Sequence, residues 1–135
     1  MYYYQTKEYL ISGTNYKEIK KKVDTIFKKI VGKTKHQPYV RSTYFLKQKV
    51  FFNIFWVHLF DKQYSFRAER LKYFNASVEL IKCSRNYPTT IENPNKNSEL
   101  LHRFYGTTKE KRKFIVQIKE VKRTGKLYLV SVFPE

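Results

Sequence analysis

A chain of 135 residues, 41% hydrophobic and 18% aromatic, has the length of one domain, residues 1–135, and can bury a real core. Its 28 Lys and Arg against 11 Asp and Glu, a formal +17, favour a polyanionic partner such as nucleic acid or an anionic membrane surface, or reflect Lys-rich coding alone. One cysteine, Cys83, excludes an internal disulfide framework and a cysteine-based zinc cluster.

Met1 to Ile11 reads as a short strand or an aromatic arm. It lacks the basic-then-apolar order of a signal peptide, and no run of about 18 apolar residues exists to span a membrane, so the cytoplasm is the expected compartment. Thr14 or Asn15 caps a helix to about Val31, with Ile19, Val23, Ile26, Phe27 and Ile30 at helical spacing and lysines opposite. Gly32 is a natural stop. Pro38 argues against helix from Gly32 to Phe45, leaving a loop or an edge strand over Tyr39–Phe45. Lys49 to Lys62 is apolar nearly all round and predicts a buried helix. A second helix opens near Ser65, and Asn75 either breaks it or lies within it on the way to Ser84. Cys83, in that apolar stretch, is expected to be a buried structural thiol. Tyr87 to Ser98 is rich in Pro, Asn, Thr and Ser and reads as irregular. Period-2 strands follow at about Leu100–Tyr105, Lys113–Val121 and Lys126–Phe133. The expected fold class is α+β: N-terminal helices packed on a C-terminal antiparallel sheet of three to four strands.

FIVQIKEVKRTGKLYLVSVF predicts a hairpin with two possible registers. A two-residue Thr124-Gly125 turn sets Gln117 opposite Val132. A three-residue Arg123-Thr124-Gly125 turn with Gly125 left-handed sets Gln117 opposite Ser131 and Lys119 opposite Leu129. The second register sorts the faces, with Phe114, Val116, Ile118, Tyr128, Val130 and Val132 toward the helices, so burial selects it. Gln117, Lys119 and Ser131 then share the outer face with Arg103 and Tyr105, provided that Phe104 points to the core.

No Walker loop, GxGxxG, GxSxG or HExxH is present, so no cofactor and no metal are expected, and no paired carboxylates suggest two-metal chemistry. Arg67 and Arg70 share a helix face and could hold a phosphate, or form a solvated face beside Glu69. His58 is a satisfied core histidine or a proton donor at a site edge. His36 and Arg41 lie in a basic loop, and Arg41-Ser42-Thr43-Tyr44 loosely suits phosphate contact.

The tail, with Asn93-Pro94, Arg103-Phe104, the alternating strand Phe114–Lys119 and Ser131 near the end, resembles the barnase–EndoU–colicin E5/D–RelE-like ribonucleases of phages and mobile elements. The resemblance spans about the last two-thirds of the chain. It implies a RelE- or barnase-like fold and metal-independent RNA cleavage, in which the ribose 2′-OH attacks the adjacent phosphate. It also implies RNA as substrate and a cognate acidic antitoxin or immunity protein as partner. On that reading His58, Arg67, Arg70, Lys119 and Ser131 are the catalytic candidates. His36, Arg41, Arg103, Tyr105 and Gln117 would bind substrate. No glutamate lies at the patch, so a RelE-like arrangement of basic residues and Tyr suits the chain better than a barnase-like glutamate base. A non-catalytic nucleic-acid-binding module predicts no convergent acid and base; a partner for an acidic protein predicts an exposed apolar patch.

Overall fold

The computed structural model describes residues 2–135. After β1 (Tyr3–Gln5), helix α1 (Tyr16–Gly32) starts where Asn15 Oδ1 accepts from the Glu18 backbone N–H at 3.0 Å. The Glu18 carboxylate reaches back to the Thr14 N–H and hydroxyl, one residue before the cap. Next come β2 (Tyr39–Ser42) and β3 (Gln48–Phe51), then α2 (Asn53–Phe60), α3 (Tyr64–Leu71) and α4 (Phe74–Cys83). The chain ends with β4 (Thr89–Asn93), β5 (Lys96–Thr107), β6 (Lys113–Val121) and β7 (Leu127–Pro134).

The fold is α+β, but the expected arrangement is corrected. The helices do not precede the sheet; they are interspersed with a seven-stranded mixed sheet in the order β1-β5-β6-β7-β3-β2, with β4 paired to β5. Two pairings, β1 with β5 and β3 with β7, are parallel. The apolar run after Lys49 divides: Val50 and Phe51 pair with Leu127 and Tyr128, and helix begins only at Asn53. The Pro- and Asn-rich stretch forms β4 and the start of β5. The second predicted helix breaks at Lys72–Tyr73, before Asn75, where the Lys72 carbonyl accepts from the Ile11 N–H at 2.9 Å. Cys83 is exposed at the end of α4, not buried.

The core lies between one sheet face and the helices. Phe104, Phe114, Val116, Ile118, Leu127, Leu129 and Val132 meet a cluster that includes Phe52, Phe55, Leu71, Phe74 and Leu80. Each such side chain contributes about 1.5–3 kcal/mol by burial. Gly106 is needed here, since a Cβ would come within 2.6 Å of the Phe114 ring and 2.8 Å of Leu80.

The hairpin register combines two frames. Phe114 to Gln117 pair with Pro134 to Ser131, the sorted register; Ile118 to Glu120 pair with Leu129, Tyr128 and Leu127. Val130 is the extra residue of a β-bulge between the two frames. The turn is consequently longer than either expected loop, although Gly125 is left-handed at φ +73°. The bulge lets Leu127, Leu129 and Val132 all reach the core, which no unbroken alternation allows. Tyr128 and Val130, expected on the core side, are instead half-buried.

The bulge and β3 together shape the edge of the sheet. Strand β3 covers β7 only as far as Tyr128. Beyond it, α2 packs along β7 with Phe55 and Leu59 buried, protecting an edge that strand pairing leaves open.

Candidate phosphate-binding groove

Three strands present one register row on the outer face of the sheet. Arg103 of β5 pairs with Gln117 of β6, and Gln117 pairs with Ser131 of β7. Arg103 Nε donates to Gln117 Oε1 at 2.9 Å, which fixes the guanidinium and directs the amide N–H₂ away from it. Phe133 stands in the next row, opposite Ile115. A helical wall rises beside this floor: His58 on α2, Lys62 in the α2–α3 turn, and Arg70 on α3. With Arg103, Gln117, Val130, Ser131 and Phe133 they line an open groove of about 320 Å³.

The electrostatics of this groove are one-sided. No carboxylate is among its lining residues. Among the described residues, Lys62, Arg70 and Arg103 have no acidic group within ion-pair distance. Both guanidiniums lie over the Phe133 ring, Arg70 at 5.4 Å and Arg103 at 5.8 Å from its centroid. Arg70 also donates to the Val132 carbonyl at 3.4 Å, a long contact that orients it without neutralising it. Burial pulls the Arg70 pKa below its ordinary value, partly countered by Glu69. Like charges gathered without acidic partners repel one another, and an anion between them relieves that repulsion.

Five of the sequence-derived candidates meet in this groove: His58, Arg70, Arg103, Gln117 and Ser131. His58 is exposed rather than a core histidine. The other five lie outside it. Arg67 braces the α2–α3 turn, with Nε donating to the Lys62 carbonyl at 2.7 Å and Nη2 to the Phe60 carbonyl, and it stacks on Tyr64, Phe60 and Tyr16. Its guanidinium is thus held at that turn, outside the groove lining. Lys119 stands one row beyond, opposite Tyr128, and is bound to Glu99 at 3.3 Å. Tyr105 is one row the other way; its hydroxyl meets Thr89 and its ring abuts Tyr3. Arg41 lies on β2, the outermost strand, bonded to the Lys47 carbonyl and lying over Tyr39. His36 is exposed in the α1–β2 connection.

Sequence reasoning missed Lys62 and Phe133. A signal existed for both. Lys62 follows His58 by four residues, one helical turn, and Phe133 follows Ser131 by two, on the same strand face.

His102 occupies the opposite face and is 7% exposed. Its Nδ1 meets the Thr90 hydroxyl at 2.8 Å and its Nε2 meets the Glu120 carboxylate at 2.7 Å, tying β4, β5 and β6 together. Its two nitrogens are thus engaged away from the groove. No group of three or more His, Cys, Asp or Glu residues is placed to hold a metal among the described residues. Likewise, no helix among them is long and apolar enough to cross a membrane.

No family model, curated protein or solved structure matches this chain.

Proposed function

We propose that the groove binds the ribose–phosphate backbone of RNA and that the protein is a metal-independent endoribonuclease. One observation carries this reading: a single exposed imidazole, three cations, a hydroxyl, an amide and an aromatic ring line one groove that contains no carboxylate. The tail motifs that resemble the barnase–EndoU–colicin E5/D–RelE-like ribonucleases lend it support, since Arg103 and Ser131 belong to both.

The chemistry follows from the groups present. Arg70 and Arg103 bind the non-bridging phosphate oxygens, whose negative charge grows in the transition state. Gln117 and Ser131 donate to the same phosphate from the sheet. His58 takes the proton from the 2′-OH as that oxygen bonds to phosphorus. Lys62 returns a proton to the departing 5′ oxygen. The products are a 2′,3′-cyclic phosphate and a 5′-hydroxyl, with no external oxidant or nucleophile required. A base flanking the scissile bond stacks on the Arg103 guanidinium plane, itself backed by the Phe133 ring, a contact that suits unpaired RNA.

The test is incubation of purified protein with mixed single-stranded RNA in EDTA. Cleavage that persists in EDTA and falls at least 100-fold in His58→Ala supports the reading, since proton transfer by a positioned side chain contributes roughly 10²–10⁴-fold. Salt-sensitive RNA binding without cleavage would replace it with a non-catalytic binding module. Absence of both would refute it.

A further inference from the structure

A second and larger concavity lies on the far side of α3. It holds about 1130 Å³ along α1, between Tyr16 and Lys28, and is closed at one side by Tyr64. That volume exceeds the roughly 300–1,000 Å³ of a small-molecule site. We propose that this groove docks an acidic amphipathic helix of a partner protein, whether or not the sheet groove cuts RNA.

Charge complementarity sets the sign of the occupant. Lys17, Lys21 and Lys28 have no carboxylate within ion-pair distance among the described residues, whereas Lys20 is paired with Asp24 at 2.9 Å. On a helix these three fall within about 40° of one another and span about 16 Å. They form one stripe about three turns long. A partner helix with acidic residues along one flank would meet every lysine of it.

Three rings, Tyr16, Phe27 and Tyr64, stand among the lining residues. Phe27 packs edge-on against Trp56 at 5.2 Å. Tyr64 stays 67% exposed although Tyr16 and Arg67 stack on it.

Ring geometry favours aliphatic side chains over nucleobases. Tyr16 and Tyr64 already stack on each other at 5.2 Å, and Arg67 lies over both. Lys20 covers the face of Trp56. A base therefore finds ring edges rather than free faces, whereas leucine-like side chains fit between edges. The arrangement matches helix-in-groove recognition, with apolar anchors at i, i+3, i+4 and i+7.

A display selection tests this. Peptides of about 14 residues, four helical turns, are selected on the full-length protein and counter-selected on the K17E/K21E/K28E variant. Expected winners carry the apolar anchor spacing with Asp or Glu along a flank. A synthesised winner should perturb the backbone amide resonances of Tyr16–Lys28 and Tyr64 while leaving Arg103 and Gln117 unmoved. Its affinity should fall roughly tenfold or more in the triple variant, as expected for lost charge pairs at an interface. Tyr64→Ser, at an exposed position, gives a second variant that retains all the lysines and should also weaken the peptide. Winners without that pattern, or affinities equal across the variants, would overturn the proposal. So would oligouridylate displacing the peptide and perturbing the same α1 amides, which would make the groove a nucleic-acid surface.

Discussion

Replacing Arg103 with Met separates a site residue from a structural one. Arg103 is exposed, and within the fold it makes one hydrogen bond, to Gln117, and one contact over the Phe133 ring. The hydrogen bond contributes about 0.5–1.5 kcal/mol net, toward the low end at a solvated position. An exposed cation–π contact adds about 0.5–1 kcal/mol. Met retains the stem, and Gln117 stays half-buried with water in reach. Stability should therefore fall by only about 1 kcal/mol. A guanidinium bonded to a phosphate is worth more, about 1.5–3 kcal/mol, which converts to a roughly 10- to 150-fold loss. Fluorescence anisotropy with a short single-stranded RNA reads the loss of affinity, and urea unfolding reads stability. The slope of log affinity against log salt should also drop by about 0.7, one phosphate contact on a single strand. Arg103→Lys should recover part of the affinity and the whole slope. An affinity within about twofold of the parent, on the scale of a neutral surface change rather than a lost phosphate contact, with the slope intact would refute the assignment.

Three further outcomes follow from packing and titration. His102→Phe preserves a ring but strands Glu120 and Thr90, so it should cost about 1–3 kcal/mol in urea unfolding; RNA cleavage, normalised to folded protein, should be unchanged because His102 faces away from the groove. Gly106→Ala forces a Cβ against the Phe114 ring and Leu80, both almost wholly buried, and overpacking of this kind should destabilise by about 1–3 kcal/mol; a melting temperature equal to the parent's would show that this layer is looser than described. Glu99 contributes to the acid limb. Burial by itself would raise its carboxyl, but the Asn93 amide, Lys119 and Lys96 outweigh that and hold it below its ordinary 4.5. A lowered folded pKa gives stability that is complete above pH 4.5 and fades as pH falls through the lowered value. Glu99→Gln should flatten that decline in thermal melts followed downward from pH 4.5, and an unchanged decline would contradict it.

What could be read from the residues depended on how local the signal was. The β6–β7 hairpin and the inward Phe104 were legible from period-2 alternation, because each strand answers to one buried face. The bulge was not. In LYLVSVF only Ser131 is clearly polar, so parity could slip by one residue at Val130 with little change in pattern. Strand β3, whose residues from Lys49 read as the start of a helix, was missed for a different reason. It lies beside β7, far along the chain, with Val50 opposite Leu127 and Phe51 opposite Tyr128, a partner that local propensity does not register. The run KVFFNIFW suits strand or helix equally, and β7 decided where one gave way to the other. In the groove, Arg70 was separable from Arg67 only by tertiary structure. Both lie on one helix, but Arg67 meets the carbonyls of the α2–α3 turn before any ligand could reach it.

A groove that cuts through attack by a ribose hydroxyl needs that hydroxyl at the cut nucleotide. A single-stranded RNA cut at one position by the protein should be resynthesised with 2′-deoxyribose at that nucleotide alone and assayed in EDTA. The expected result is no cleavage of the substituted strand, with the parent RNA ending in a 2′,3′-cyclic phosphate and a 5′-hydroxyl. Cleavage of the deoxy-substituted strand at the same position, or a parent product bearing a 5′-phosphate, would contradict it.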